Sequence, residues 1–219
     1  MGGVNDKFPN ISIIEHELQH MLAYSYDWRN LKQNNVFDRQ TNFIYRTQVF
    51  SDVLQTAEAE FGKRDDYQVL LSYALNRWYN FWSSVAVERI FCQSIRVVPA
   101  KDYRDKLVDF EIDGIRFDHK TSVFPRGYKQ NLSYAQNHPR SLIDWLYANQ
   151  SREGRYHLKN RLFIVLHASN GQHWRLKANI SWLKRLIDTY VQNFQPSQLH
   201  EFHFEQAHVT LSDIVWAID

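Results

Sequence analysis

Between two segments that alternate apolar and polar residues lies one Asp113-Gly114 pair, and it constrains the chain more than any other feature. A two-residue Asp-Gly loop needs positive φ at both positions and joins antiparallel strands in one register. That register pairs Ile112 with Ile115, Glu111 with Arg116, Phe110 with Phe117 and Asp109 with Asp118. Alternation puts Val108, Phe110, Ile112, Ile115 and Phe117 on a core face with His119 at its end. Asp109, Glu111, Arg116, Asp118 and Lys120 take the other face.

The rest of the chain arranges itself around this hairpin. Helix-like spacing marks residues 13–24 and 42–61, and Asp65 and Asp66 give an N-cap signal for a long helix over 67–92. Strand periodicity then follows in 94–99, 107–112 and 115–123, a polar loop in 125–137, and a helix from Pro139, a favoured first-turn residue. Residues 161–167 (RLFIVLH) read as a buried strand, Asn179 as the cap of a helix to about Phe194, and 201–205 and 213–217 as short strands. The expected fold is α/β, a mixed central sheet flanked by helices. An N-terminal helical extension over 1–76 would accompany a core over 77–219 in one compact domain.

Composition sets outer limits. A chain of 219 residues with 44% hydrophobic and 23% charged residues can bury one good core, and a net charge of +2 permits an anionic partner without requiring one. Cys92 is the single cysteine, which excludes an intrachain disulfide and a cysteine-rich zinc site and fits a reducing compartment. The N-terminal residues carry no basic apolar leader and no apolar run is long enough to span a membrane, so a cytoplasmic location is expected.

The polar face of the hairpin carries the chemistry. Asp109 and Asp118 as direct cross-strand neighbours repel, and sharing a divalent cation removes the repulsion. Oxygen-only ligation suits Mg²⁺, with Mn²⁺ as a substitute. Lys120 projects from the same face, where an ammonium can position a nucleophile next to a metal-polarised phosphate. The His119 backbone carbonyl can add a ligand, whereas its side chain points to the core. Glu88, on the helix before the hairpin, shares a face with Phe81, Val85, Phe91 and Cys92, so its carboxylate wants a partner or a cation.

A helix with Glu88, then Asp109, then Asp118-His119-Lys120 on consecutive strands resembles the PD-(D/E)XK nuclease superfamily, the restriction-endonuclease-like fold. The resemblance covers roughly residues 77–206, with the 162–167 strand and flanking helices in the expected order. It implies that Asp109 and Asp118 are metal ligands, that Lys120 serves the attacking water and that Glu88 is an accessory acid. Val108 stands in place of the signature proline, and Asp118 where glutamate is commoner. The implied function is Mg²⁺-dependent DNA cleavage, in its preferred form by a sequence-specific, type II restriction-like homodimer. Residues 121–161 leave the hairpin directly after Lys120 and would contact DNA through Arg126, Lys129, Asn131, Gln136 and Arg140.

Two other readings compete. His16-Glu17-Leu18-Gln19-His20 matches HExxH, the zinc metallopeptidase signature, and as a bare string it is scarcer than the nuclease pattern. Its context opposes a peptidase: too little chain precedes it for a substrate-aligning sheet, Ala23 stands where the extended motif needs glycine, and no third histidine follows at the set spacing. The remaining reading is a non-catalytic DNA-binding relative of the nuclease fold.

Overall fold

The computed structural model describes residues 10–28, 34–100, 108–149, 159–204 and 209–219. The chain divides into two compact units, Met1–Ala86 with Lys177–Ser181, and Val87–Leu176 with Trp182–Asp219. The division falls inside the longest helix.

The N-terminal unit is helical. Helix α1 (Ile11–His20) is capped by Asn10, whose side chain accepts from the Ser12 N–H, and it buries Ile11, Ile14 and Leu18. A 3₁₀ turn, Met21–Ala23, finishes it, so the helix expected over 13–24 begins and ends earlier. The helix expected over 42–61 is broken into a 3₁₀ turn, Asn42–Tyr45, and α3 (Phe50–Phe61), with a short α2 (Asn35–Gln40) before them. Val49 is extended and gives α3 no side-chain cap. The Glu17 carboxylate of α1 supplies it, accepting from the Phe50 N–H at 2.7 Å.

Helix α4 (Tyr67–Cys92) is apolar nearly all round, the pattern of a buried helix. In the N-terminal unit its polar groups tie down the irregular segment before α3. Trp78 Nε1 donates to the Thr47 carbonyl at 2.8 Å, Trp82 Nε1 to the Ile44 carbonyl at 3.0 Å, and buried Arg77 to the Asp38 carbonyl and the Tyr45 hydroxyl, each at 2.8 Å. At the helix start Asp66 does not cap by its side chain as its position suggested. Its carboxylate forms a two-pronged pair with Arg64, which holds Asp66 below the ordinary carboxylate range.

The second unit is mixed α/β, with a six-stranded mixed sheet in the order β1-β2-β3-β4-β6-β5. Strands β1 (Val97–Pro99), β2 (Phe110–Ile112) and β3 (Ile115–Val123) form an antiparallel meander. Strand β4 (Arg161–His167) runs parallel to β3, and β6 (Val209–Ile218) parallel to β4. Strand β5 (His200–His203) closes the far edge antiparallel to β6. The expected strand ends at Leu107 and Glu205 lie outside the described residues, as does part of the 121–161 segment. The polar stretch expected as a loop contains a short helix, α5 (Leu132–Asn137), followed by α6 (Pro139–Ala148).

Helices flank this sheet. From α6, Leu142, Ile143, Leu146 and Tyr147 pack with Phe163, Val165 and Ile214. On the other face the last turns of α4 put Phe91 on Phe110, ring centroids 4.5 Å apart, and Phe194, just after α7 (Ile180–Asn193), meets Phe117. Arg96 donates to the Val191, Gln192 and Phe194 carbonyls that end α7 and also pairs with Asp113 at the hairpin tip.

The hairpin register is the one the sequence specifies over Phe110↔Phe117, Glu111↔Arg116 and Ile112↔Ile115. Asp113 and Gly114 both have positive φ, 49° and 83°. Replacing Gly114 by Ala puts a Cβ into the left-handed region, and loss of about 1–2 kcal/mol of stability is expected. The readout is the denaturant midpoint; an unshifted midpoint would refute the turn assignment.

Candidate active site

Strand β2 leaves β3 at Asp109. The Asp109 N–H reaches the Phe117 carbonyl at 2.8 Å, although Phe117 already pairs with Phe110, so two consecutive residues oppose one as in a β-bulge. A bulge re-aims the side chain of the extra residue. Asp109 therefore does not stand across from Asp118 on the face with Lys120, as uninterrupted alternation would require. Its Oδ2 accepts from the His119 backbone N–H at 2.7 Å and lies 2.6 Å from His119 Nδ1. The carboxylate has taken over a ladder position that β2 vacated.

His119 is buried among Phe91 and Phe110, on the core side the sequence predicts. Burial disfavours its charge, but the Asp109 hydrogen bond and the fields of Asp109, Asp118 and Glu88 outweigh burial and raise its pKa. Asp109 shows the converse: burial pushes it up, and the His119 contacts together with Arg161 pull it below the usual range. Half-buried Glu88, on the last turns of α4, belongs to the same group. Burial raises its pKa, His119 opposes the rise and Asp109 adds to it. Cys92 sits one turn further on, its thiol pushed up to about 12 by burial, Glu88 and Asp109. It is an inert thiol.

Asp118 has a different partner. It pairs in register with Arg161, the first residue of β4, and Arg161 Nε donates to its Oδ2 at 2.5 Å. Arg161 is buried, and its guanidinium lies over the Tyr147 and Phe163 rings, 5.8 and 5.7 Å from their centroids. Burial raises the Asp118 pKa, Arg161 counters it, and Asp109 contributes to the rise. Lys120, two residues on, pairs with Phe163 in the same register and is exposed on that face.

The structure thus gathers Glu88, Asp109 and His119 on the α4 side, and Asp118, Lys120 and Arg161 on the α6 side, around one short stretch of β3. The mutual repulsion of the two hairpin acids is offset by His119 and Arg161. Among the described residues, Glu88, Asp109 and Asp118 do not form a trio with ligand atoms within 4.8 Å; His16, Glu17 and His20 do. Arg161 is the functional candidate that sequence reading underrated, since it stood as one basic residue among many. The signal was available: a cation opening an otherwise apolar, fully buried strand needs a buried anion.

Of the expected DNA contacts, Arg126, Lys129, Gln136 and Arg140 are exposed. Asn131 is a cap, its Oδ1 accepting the Tyr134 N–H at 2.8 Å at the start of α5. Arg140 lies over the Phe202 ring at 4.7 Å and lines a groove with Tyr134, His138 and His200. Among the described residues, no helix is long and apolar enough to cross a membrane.

No family model, curated protein or solved structure matches the chain.

The Asp109–His119 pair has a pH signature. His119, with a raised folded pKa, contributes stability that is fully present below the ordinary imidazole value of about 6.5 and lost as pH rises through the folded value. Asp109, with a lowered one, contributes stability present above the ordinary carboxylate value of about 3.9 and lost as pH falls through the folded value. In chelator, the stability gap between wild type and His119→Gln should be widest between about pH 4 and 6.5. A gap that stays constant from acid to alkaline pH would rule out the ion pair. Arg161→Leu strands Asp118 without its cation and should cost about 3 kcal/mol at neutral pH, read by urea unfolding.

Proposed function

We propose that the chain is a Mg²⁺-dependent nuclease that hydrolyses DNA phosphodiesters, with Asp109, Asp118 and Lys120 as its catalytic residues and Glu88 as an accessory acid. The observation that carries the reading is the way both acids are held. Each gives one oxygen, Oδ2, to a protein cation or imidazole, and neither Oδ1 has a hydrogen-bond partner among the described residues. Buried or half-buried carboxylates with one oriented oxygen and one uncommitted oxygen suit an oxygen-ligated hard cation. The order of elements adds support. Acid-bearing helix α4, hairpin β2–β3, helix α6 and parallel strand β4 follow one another as the nuclease resemblance expects.

The donor set is Asp109, Asp118 and the His119 carbonyl. Backbone N–H and C=O of a strand residue point to the same edge, so this carbonyl faces the edge at which Asp109 binds the His119 N–H. Bound there, Mg²⁺ supplies charge to polarise a phosphate and lowers the pKa of a water. The protein does the rest. His119 fixes Asp109 and Arg161 fixes Asp118, so each ligand is oriented in advance. Lys120 presents an ammonium on the Asp118 face, where it positions the attacking water and offsets phosphate charge. Glu88, its pKa raised chiefly by burial, is the accessory acid beside these ligands. Arg126, Lys129, Gln136 and Arg140 offer exposed donors for phosphates on the segment that leaves β3. Sequence specificity of the restriction type and a homodimer with one site per strand are the finer parts of the same proposal.

The test is incubation of plasmid and phage DNA with the protein and Mg²⁺ or Mn²⁺. Cleavage is expected to vanish with chelator and to fall by about 100-fold or more in Asp118→Ala and Lys120→Ala. Discrete fragments would support sequence-specific cutting. Binding without cleavage by the wild type would instead favour a non-catalytic relative, and equal cleavage by both variants would remove the hairpin from the mechanism.

A further inference from the structure

Helix α1 carries His16 and His20 one turn apart, with Glu17 beside His16. Their rings lie edge to face with centroids 5.0 Å apart, and one ligand atom from each of the three residues lies within 4.8 Å of the others. Ligands bonded at about 2.0–2.1 Å in a tetrahedron stand about 3.3 Å apart, a gap that small rotations of two exposed rings can close. Two imidazoles and a carboxylate are a borderline-soft donor set, unlike the oxygen-only set on the hairpin.

What surrounds the trio fixes its geometry. Glu17 is half-buried, and its Oε2 accepts the Phe50 N–H at 2.7 Å, the first amide of α3. That leaves its second oxygen as the available ligand atom, oriented by a backbone donor as metal-bound carboxylates commonly are. His20 stacks on the Phe50 ring with centroids 5.8 Å apart, so the same residue that orients Glu17 also supports one imidazole. Both histidines are exposed, so a cation can reach them from solvent without dehydrating a buried pocket.

We infer that His16, Glu17 and His20 form a Zn²⁺ site that is independent of the hairpin and does not hydrolyse peptides. In an HExxH peptidase the glutamate must activate water. Here one of its oxygens is bound to the start of α3, which makes it a ligand and a link rather than a base. Zinc on this trio clamps α1 to the start of α3 and stabilises the N-terminal unit by mass action.

The experiment uses the full untagged chain, stripped with chelator and dialysed, then titrated with ZnCl₂ in a large excess of Mg²⁺. Wild type should bind about one zinc per chain and its thermal midpoint should rise with zinc. His16→Ala and His20→Ala should lose both effects while keeping the metal-free midpoint, because both side chains are exposed. Glu17→Gln should weaken binding by about tenfold. Asp118→Ala should bind zinc as wild type does, which separates this site from the hairpin. No bound zinc, zinc retained by both histidine variants, or a zinc-dependent cleavage of casein lost in Glu17→Gln would each overturn the inference.

Discussion

The second unit depends on one vacancy in a strand ladder. Where β2 turns away, the His119 amide loses its antiparallel neighbour, and an unpaired amide in a buried strand is costly. The Asp109 side chain fills the gap, and the oxygen that does so also touches Nδ1 of the His119 ring. One carboxylate thus ends the β2–β3 pairing and holds a buried imidazole in place. It also brings negative charge to the edge of β3. Burial on α4 is the main reason that Glu88 and Cys92 are raised, and this anion adds to the rise in both.

The other edge of β3 solves the matching problem with a different partner. Strand β4 is buried from Arg161 to Leu166, and a strand so enclosed has no solvent to receive a charge. Its one cation sits in register with the one acid that β3 turns toward it. Neither charge would be tolerable there alone. Parallel pairing makes the match exact in position, since a one-residue slip would place Arg161 against His119 or Phe117, on the opposite side of the sheet. Asp118 therefore helps set the register of β3 on β4 as well as standing in the candidate site.

How much of this was legible in the sequence follows from the range of the forces involved. The Asp113-Gly114 turn is local, and its register held over every pair of β2. The span of α4 and the burial of β4 also follow from unbroken local patterns. The break between Tyr45 and Phe50 was hidden, because the cap that starts α3 comes from Glu17, distant in sequence. Short α5 was hidden among polar residues whose one structural clue, Asn131 as a cap, reads equally well as a DNA contact. At Asp109, alternation carried the register one residue too far. The bulge that stops it is stabilised by a side chain reaching His119, and strand periodicity contains no term for that.

The two acid-containing motifs differ in a way their strings do not express. At His16-Glu17-His20 the ligand atoms already converge, yet the glutamate that a peptidase would need is spent on a helix end. At the hairpin the carboxylates do not converge, yet each is held by a buried partner that leaves one oxygen uncommitted. Convergence without metal is therefore a poor guide to catalysis, because facing carboxylates repel until a cation arrives whereas neutral imidazoles do not. A site built for a hard cation and an anionic substrate is expected to keep its acids apart and separately compensated in the metal-free state. On that ground the hairpin, despite its looser geometry, is the better candidate for chemistry, and the histidine pair the better candidate for binding a metal.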